Sequence, residues 1–185
     1  LRVGGALRWI PRFEPAAVAA AVRDRGVLFA VPTMYTRIAD AAERAAALAA
    51  DLAGARLLVS GSAALPAREH RRIEQLTGRG VHERYGLTET LIVCAVLGDG
   101  PARPGLVGPP LPGVEVRLVD DERRPLDVAD DATIGEVAVR GPSVFLGYLH
   151  RPDATAAALD GAGWFYTGDL ATRTADGAIR IVGRR

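Results

Sequence analysis

A short stretch of aromatic, hydroxyl and carboxylate residues follows a predicted strand near the middle of the chain, at 85–90 (YGLTET). Ligands in open α/β sheets bind at the carboxyl ends of strands. A glycine such as Gly86 lets the backbone approach a ligand closely, the hydroxyl of Thr88 can bond phosphate oxygens, and the carboxylate of Glu89 can hold Mg²⁺. These residue types suit a phosphate and metal site, although an ordinary turn after a strand is an alternative.

Two further segments carry groups that could bind a nucleotide. Asp169, in the segment 166–170 (YTGDL), could accept hydrogen bonds from both hydroxyls of a ribose, or it could simply form an Asx-turn beside its glycine. Gly61, Ser62 and Ala63 join a predicted strand to a predicted helix, and such a turn exposes backbone groups to an anion or a planar base. The same residues would also suit a plain βα loop.

An α/β layer predicted for residues 1–97 must position two of these segments, 61–63 and 85–90. Helical spacing of apolar residues predicts helices at 14–25, 34–50 and 66–77, and short apolar runs predict strands at 27–31, 56–60 and 80–85. This alternation favours a parallel sheet with right-handed crossovers.

Residues 98–185 have a different pattern, because prolines and glycines crowd positions 98–113 and no long helical pattern follows. Alternating apolar and polar residues predict strands at 114–119, 135–140 and 179–182, with one short helix at 152–159. The predicted fold class is therefore α/β, with a partial parallel sheet layer and flanking helices followed by a small antiparallel, β-barrel-like subdomain.

Composition and charge exclude several classes of protein. A net charge of +1 gives no field that would attract nucleic acid or an anionic membrane, and no apolar run approaches the roughly 18 residues that span a bilayer. The single cysteine, Cys94, excludes an internal disulfide, and its apolar neighbours predict a buried thiol. We expect a cytoplasmic protein, since no signal peptide precedes the first segment.

All 23 basic residues are arginines, because the sequence contains no lysine. Arginine stays protonated and bonds carboxylates and phosphates in bidentate fashion, but it cannot act as an easily deprotonated amine.

Taken in order, the motifs resemble those of the adenylate-forming superfamily, which includes acyl-CoA synthetases, luciferases and the adenylation domains of nonribosomal peptide synthetases. The series is SGSAALP at 60–66, YGLTET at 85–90, GEVAVRGPSVFLGY at 135–148, GWFYTGDLA at 163–171 and GRR at 183–185. The resemblance covers essentially the whole chain, and several motifs in the correct order are more specific than any one of them.

The resemblance implies roles for the candidate residues. Tyr85 resembles the tyrosine that stacks on adenine, Thr88 the phosphate-contacting threonine and Glu89 the Mg²⁺-linked glutamate, with Gly86 beside them in the nucleotide site. Asp169 resembles the aspartate that holds the ribose hydroxyls.

Four further features take their interpretation from the same resemblance. Arg184 resembles the ribose-contacting arginine at the start of the hinge motif, and the turn 61–63 would line the adenine and the acyl group. The Gly-Glu pair at 135–136 and the Gly-Tyr pair at 147–148 are expected to be structural.

The family's reaction, as the resemblance implies it, has two steps. ATP and a carboxylic acid give an acyl-adenylate and pyrophosphate, and a thiol, commonly that of CoA, then displaces AMP. A site that holds two anions against each other needs Mg²⁺ and cationic side chains.

Two arginines bear on the identity of the acid. The segments VPTMYTR and ERYG, which contain Arg37 and Arg84, resemble those of malonyl-CoA and methylmalonyl-CoA synthetases, where an arginine at each position binds the carboxylate that is not activated. A bidentate arginine pair suits a second carboxylate, whereas an unpaired guanidinium in a fatty-acid or aryl-acid pocket would be costly. Alternatively, Arg37 pairs with Asp40 or Glu43, and Arg84 pairs with a surface acid.

The resemblance also implies parts that this sequence does not contain. The family's phosphate loop with its lysine would precede residue 1, and a C-terminal domain with a second lysine would follow residue 185. We therefore expect an internal fragment of an acyl-CoA ligase that does not adenylate unless a partner chain supplies those parts. Three alternatives stay open: another acid such as an aryl or polyketide-derived one, a carrier-protein thiol as acceptor, or a module that binds a preformed acyl-adenylate.

Overall fold

The computed structural model describes residues 5–96 and 100–185. The chain divides into two compact units, Leu1–Val81 and His82–Arg185. The fold is α/β, as the sequence predicted.

The N-terminal unit contains a parallel pair of strands and four helices. Its elements are α1 (Pro15–Val22), β1 (Val27–Ala30), α2 (Pro32–Ala42), α3 (Ala46–Ala53), β2 (Leu57–Ser60) and α4 (Ala67–Thr77). Strands β1 and β2 pair in parallel, from Val27 opposite Leu57 to Ala30 opposite Ser60. The helices between them therefore act as crossovers, as the alternating pattern predicted.

The predicted helix at 34–50 is in fact two helices, α2 and α3, separated at Ala45. Ala45 has an extended backbone (φ −143°, ψ 96°). The break allows Leu48 and Leu52 of α3 to enter the same core as Ile38 of α2. Because alanine suits every helical position, the alanine-rich sequence contains no signal for this break.

The C-terminal unit is built from antiparallel strands. Its elements are β3 (Val81–Leu87), β4 (Leu91–Ala95), β5 (Glu115–Val119), β6 (Pro125–Leu126), β7 (Gly135–Arg140), α5 (Pro152–Ala158), β8 (Phe165–Arg173) and β9 (Ile179–Arg184). Strands β3 and β4 form a hairpin, and the other five form an antiparallel sheet in the order β6-β5-β7-β8-β9. These described strands make an open sheet rather than a closed barrel.

The segment 107–111 connects the hairpin to the five-stranded sheet within this unit. Val107 N donates to Ile179 O on β9 at 2.9 Å, and Leu111 N donates to Val93 O on β4 at 2.9 Å. Tyr85, Val93 and Cys94 share one core with residues of the sheet. The hairpin therefore packs with the β-rich unit, whereas the sequence pattern grouped it with the preceding α/β layer.

Cys94 lies in this core and is completely buried as a free thiol, which confirms the sequence-based expectation. Burial raises the pKa of the Cys94 thiol to about 12. Among the described residues, no helix is both long enough and apolar enough to cross a membrane.

The side chains that titrate at alkaline pH allow a test of this packing. Because the chain has no lysine, they are Cys94 and the tyrosines Tyr35, Tyr85, Tyr148 and Tyr166. Burial is the main cause that raises the pKa of all four tyrosines, so the native state keeps protons that the unfolded chain loses near pH 10. The resulting stability is present below that pH and is lost as the pH rises through the native pKa values.

We therefore expect the free energy of unfolding to fall as the pH rises from about 9 to about 11. Denaturant melts followed by circular dichroism would measure it. Tyr35→Phe should make the decline less steep, because Tyr35 is fully buried and donates to Val59 O at 3.1 Å. An unfolding free energy that stays constant up to pH 11 would contradict this account.

Candidate functional site

The YGLTET motif forms the tip of the β3–β4 hairpin. Tyr85 and Gly86 are still part of β3, and the turn 88–90 reverses the chain into β4. The pairing shifts by one residue between Tyr85 and Gly86, which is a β-bulge. The sequence predicted a strand that ended at Tyr85, so the antiparallel return of the chain was not foreseen.

Gly86 permits a close backbone approach across this hairpin. A Cβ atom added at Gly86 would lie 1.9 Å from the Leu91 carbonyl oxygen. Leu91 itself has a positive φ of 55°, which is uncommon for a residue other than glycine. The structure thus supplies an intramolecular reason for this glycine, in addition to the approach of a ligand that its position suggested.

The turn at the hairpin tip is held by a buried threonine. Leu87 N donates to Thr90 Oγ1 and Thr90 N donates to Leu87 O, both at 3.2 Å, and Thr90 is fully buried. Thr88, the predicted phosphate contact, is exposed at the tip. The tip therefore presents Thr88 outward on a turn closed by hydrogen bonds.

Glu89 is fixed by the segment that follows β7. Phe145 N donates to the backbone oxygen of Glu89 at 2.8 Å, and Tyr148 Oη donates to Glu89 Oε1 at 2.9 Å. Burial and the neighbouring Glu89 carboxylate raise the pKa of Tyr148, while the charge of Arg184 lowers it. Tyr148 thus stays a neutral hydrogen-bond donor, and Arg184 is near enough to affect it electrostatically.

Tyr85, Asp169 and Arg184, three of the residues predicted to bind the nucleotide, form one cluster. Tyr85 Oη donates to Asp169 Oδ2 at 2.7 Å in a buried hydrogen bond. Asp169 and Arg184 lie opposite each other on β8 and β9, and Arg184 Nε lies 3.6 Å from Asp169 Oδ1. Burial, together with the Asp169 carboxylate, raises the pKa of Tyr85, so its hydroxyl keeps the proton that it donates.

Asp169 lies within a strand and not in the tight turn that was one interpretation of its sequence. Strand β8 runs through Phe165–Arg173, and Gly168 has a positive φ of 74° within it. Thr167 Oγ1 donates to Val137 O at 2.9 Å and accepts from Asp169 N at 3.1 Å. These contacts hold the backbone of Asp169 against β7.

The turn at 61–63 in the N-terminal unit combines one buried and two exposed residues. Gly61 is buried and its N–H donates to Ala30 O at 3.3 Å, whereas Ser62 and Ala63 are exposed. Ser62 has a positive φ of 71°, a conformation that costs energy in a residue other than glycine and recurs at functional sites. The role of this turn beside adenine and the acyl group stays a prediction.

Arg37 is exposed on α2, with its guanidinium 4.7 Å from the centre of the Phe13 ring. The two acids considered as its alternative partners pair with Arg72 instead, Asp40 at 2.7 Å and Glu43 at 2.9 Å. These two acids are thus engaged by Arg72, and the role of Arg37 stays a prediction.

Arg84 lies on β3 opposite Ala95 of β4 and is half-buried. Burial alternates along β3, so Arg84 and Tyr85 occupy opposite faces of the strand. Sequence proximity to Tyr85 alone therefore does not direct Arg84 toward the same surface, and its contact with the acid stays a prediction.

The predicted magnesium ligand, Glu89, is a single carboxylate. Over 5–96 and 100–185, no group of three or more His, Cys, Asp or Glu side chains could hold a metal. A lone carboxylate such as Glu89 fits Mg²⁺ when phosphate oxygens and waters supply the remaining ligands.

A family model described as AMP-binding enzyme matches residues 1–149 of the chain. The chain belongs to the AMP-binding enzyme family. This confirms the superfamily that the ordered motifs indicated. A solved malonyl-CoA ligase, determined as a ternary product complex with methylmalonyl-CoA and AMP, superposes with a TM-score of 0.92 at 53% identity, over 100% of this chain and 39% of that one.

Curated relatives support the same family. The chain is 36% identical to a mitochondrial malonate–CoA ligase of Homo sapiens over an alignment of 217 residues. The alignment covers 100% of this chain and 37% of the relative. It is 40% identical over 136 residues to a long-chain-fatty-acid–CoA ligase of Yersinia pestis, covering 73% of this chain and 24% of that protein. The chain thus spans well under half the length of the relatives it matches.

Two residues in the site had been assigned no chemistry from the sequence. Tyr148, of the Gly-Tyr pair, bonds Glu89 across 59 positions, and Glu136, of the Gly-Glu pair, accepts from Gly168 N across 32 positions. The presence of both pairs in the ordered motif series was the only signal, because their partners are remote in sequence.

The close approach at Gly86 leads to a prediction about stability. Gly86→Ala should destabilise the protein by about 1–3 kcal/mol, because the added methyl group overlaps backbone that cannot easily move. Gly183→Ala is the matched control, since Gly183 also lies in a strand of this unit and an added Cβ there meets nothing within 4 Å. Denaturant unfolding would compare the two variants, and equal losses would refute the steric explanation.

Proposed function

We propose that the chain is part of an ATP-dependent, AMP-forming acyl-CoA ligase that activates malonate or methylmalonate. The observation that carries the proposal is the cluster of Tyr85, Asp169 and Arg184, which come from β3, β8 and β9 and each resemble a nucleotide-binding residue of the family. The malonyl-CoA ligase of similar structure supports both the reaction and the class of acid.

The cluster suits the recognition of a nucleoside. Tyr85 would offer its ring to adenine while its hydroxyl fixes the plane of the Asp169 carboxylate. A carboxylate held in this way can accept hydrogen bonds from two adjacent ribose hydroxyls without first reorganising. Arg184, whose side chain is 71% exposed, has room to move toward the nucleotide.

The hairpin tip suits the phosphates. Thr88 is exposed and can donate its hydroxyl to a phosphate oxygen, and Glu89 is the single carboxylate that would hold Mg²⁺. A bound Mg²⁺ would neutralise phosphate charge. Tyr148 would keep the Glu89 carboxylate oriented through its 2.9 Å hydrogen bond.

Arg37 and Arg84 would bind the carboxylate of the acid that is not activated, and the turn 61–63 would line adenine and the acyl group. Identity to the two curated relatives does not decide the acid, since the fatty-acid ligase is 40% identical and the malonate ligase 36%, whereas the solved malonyl-CoA ligase, at 53%, favours malonate or methylmalonate. The two arginines are the residues whose substitution can discriminate between these acids. Another carboxylic acid is the second candidate, and the fatty-acid relative is the observation that favours it.

CoA is the proposed acceptor, because the solved relative was determined with methylmalonyl-CoA and AMP. A carrier-protein thiol, or a module that only binds a preformed acyl-adenylate, would need a different test. The cytoplasmic location expected from the sequence also stays a prediction, since the human relative is named as mitochondrial.

The two arginines can be tested by calorimetry on the complete ligase with non-hydrolysable malonyl-adenylate and octanoyl-adenylate analogues. Arg84→Ala or Arg37→Ala should weaken malonyl-adenylate binding about 10- to 100-fold, because each removes a charge-assisted hydrogen bond to a carboxylate. Binding of the octanoyl analogue should change little.

Arg151→Ala is the matched control, since Arg151 is exposed and pairs with Asp153 of its own segment. If the unmodified ligase prefers the octanoyl analogue, or if neither arginine matters more than Arg151, the dicarboxylate assignment is wrong and only the family remains.

The absence of lysine gives a separate prediction for the 185-residue chain by itself. The resemblance implies that adenylation needs two lysines, and arginine cannot replace an amine that must fit closely against the reacting phosphates. We expect no acid-dependent exchange of pyrophosphate into ATP by this chain. Exchange above background would show that its arginines suffice.

A further inference from the structure

The carboxylate of Glu136 on β7 connects the two strands that carry the proposed ribose residues. Glu136 Oε1 accepts from Gly168 N on β8 at 2.9 Å, and Glu136 Oε2 accepts from Arg185 Nη1, just beyond β9, at 2.9 Å. The Glu136 side chain is only 8% exposed. Both of its oxygens are therefore used in a shielded environment, where charge-assisted hydrogen bonds are strong.

A bulge in β8 explains why a side chain is needed here. Ala138 pairs with Tyr166 and Glu136 pairs with Leu170, so the three residues 167–169 lie opposite the single residue Val137. The N–H of Gly168 consequently has no ladder acceptor on β7, and the Glu136 carboxylate takes that place. Bulges commonly redirect a side chain beside an active site, and here the redirected residue is Asp169.

The same carboxylate also holds the end of β9. Arg185 N donates to Gly168 O at 2.8 Å, and the Arg185 side chain pairs with Glu136 and with Asp121. Gly168 immediately precedes Asp169, and Arg185 immediately follows Arg184. Glu136 therefore fixes the neighbour of each ribose residue.

We propose that Glu136 is a positioning residue for the nucleotide, which keeps Asp169 and Arg184 aimed together at the ribose through Gly168 and Arg185. The inference rests on the proposed function, because it takes the ribose as the group that this pair contacts. Glu136 itself need not touch the substrate.

The test is Glu136→Gln in the complete ligase, with separate KM values for ATP and for the acid, and AMP affinity by calorimetry. Glutamine keeps an acceptor for Gly168 N but loses the charge that holds Arg185. We expect the KM for ATP and the Kd for AMP to rise about tenfold, the loss that one charge-assisted hydrogen bond accounts for. The KM for the acid should stay within about twofold, because no acid contact is assigned to Glu136.

Glu115→Gln is the matched control, because Glu115 lies on the neighbouring strand β5 and makes an exposed ion pair with Arg140. It should leave both KM values unchanged. Arg185→Gln, from the other side of the contact, should weaken AMP binding by a similar factor. The double variant should be little worse than either single one, since partners in one contact are not additive.

A Glu136→Gln protein that melts at a lower temperature but binds AMP as tightly as the unmodified protein would overturn the inference and leave Glu136 a purely structural residue. Equal increases in both KM values would overturn it as well. If the unmodified protein ligates no acid, the proposed function fails, but AMP binding that is weakened by Glu136→Gln and not by Glu115→Gln would still support the positioning role. If Glu136→Gln does not fold, AMP binding by Arg185→Gln tests the inference instead. Weakened AMP binding would support the positioning role, and unchanged binding would overturn it.

Discussion

The hydrogen bond from Tyr85 to Asp169 is the interaction on which the site depends. It joins the β3–β4 hairpin to β8 across 84 positions, and both side chains are buried. A hydrogen bond between a phenol and a carboxylate that are shielded from water is directional and costly to break. This hydrogen bond thus holds the adenine-stacking candidate and the ribose-binding candidate together. Val93 and Cys94, on strand β4 of the same hairpin, pack into the core shared with the sheet and stabilise that arrangement.

The sequence predicted the elements of the N-terminal unit better than those of the C-terminal unit. Helical and strand periodicities located α1, β1, β2 and α4 to within a few residues, because each buries a clear apolar face. Strands β4, β6 and β8 were missed. Strand β8 contains Thr167, Gly168 and Asp169, polar and turn-forming residues whose backbone is accommodated by a bulge and a side-chain acceptor that no local pattern reveals.

The membership of the candidate site stays a prediction, and the contacts among its residues were not predicted from the sequence. Ordered motifs assigned Tyr85, Glu89, Asp169 and Arg184 to one ligand, whereas which residue bonds which depends on strand register and on contacts between distant segments. The hydrogen bond from Tyr148 to Glu89 is such a contact, and through it the Gly-Tyr pair that was expected to be structural contacts a residue of the candidate site. Strand register depends on which face of the whole sheet is buried. A single sequence does not show which strands pair with each other, so it leaves the register undetermined.

Because arginine takes the place of lysine throughout this chain, the positive charge of an arginine is not by itself evidence that it binds an anion. Arg117 lies 3.9 Å from the ring centre of Trp164 and also donates to Tyr166 Oη at 3.1 Å, and Arg123 lies 4.0 Å from the Tyr166 ring. These guanidinium groups stabilise the outer surface of the sheet through cation–π contacts. An arginine in this protein is therefore evidence for anion binding only when its own contacts favour it.

The contacts of Asp169 indicate how the proposed ribose site would accept a ligand. Its Oδ2 is held by the buried Tyr85 hydroxyl at 2.7 Å, while its Oδ1 faces Arg184 at the looser distance of 3.6 Å. In the proposed site, a ribose hydroxyl that competes for this carboxylate would open the loose contact with the exposed Arg184 at less cost than the buried one with Tyr85, because exposed ion pairs contribute little, and the guanidinium would then be free to contact the ribose itself. The β3 and β8 side of the site is therefore rigid and the β9 side adjustable. Glu136, which anchors Arg185, limits how far that adjustment extends.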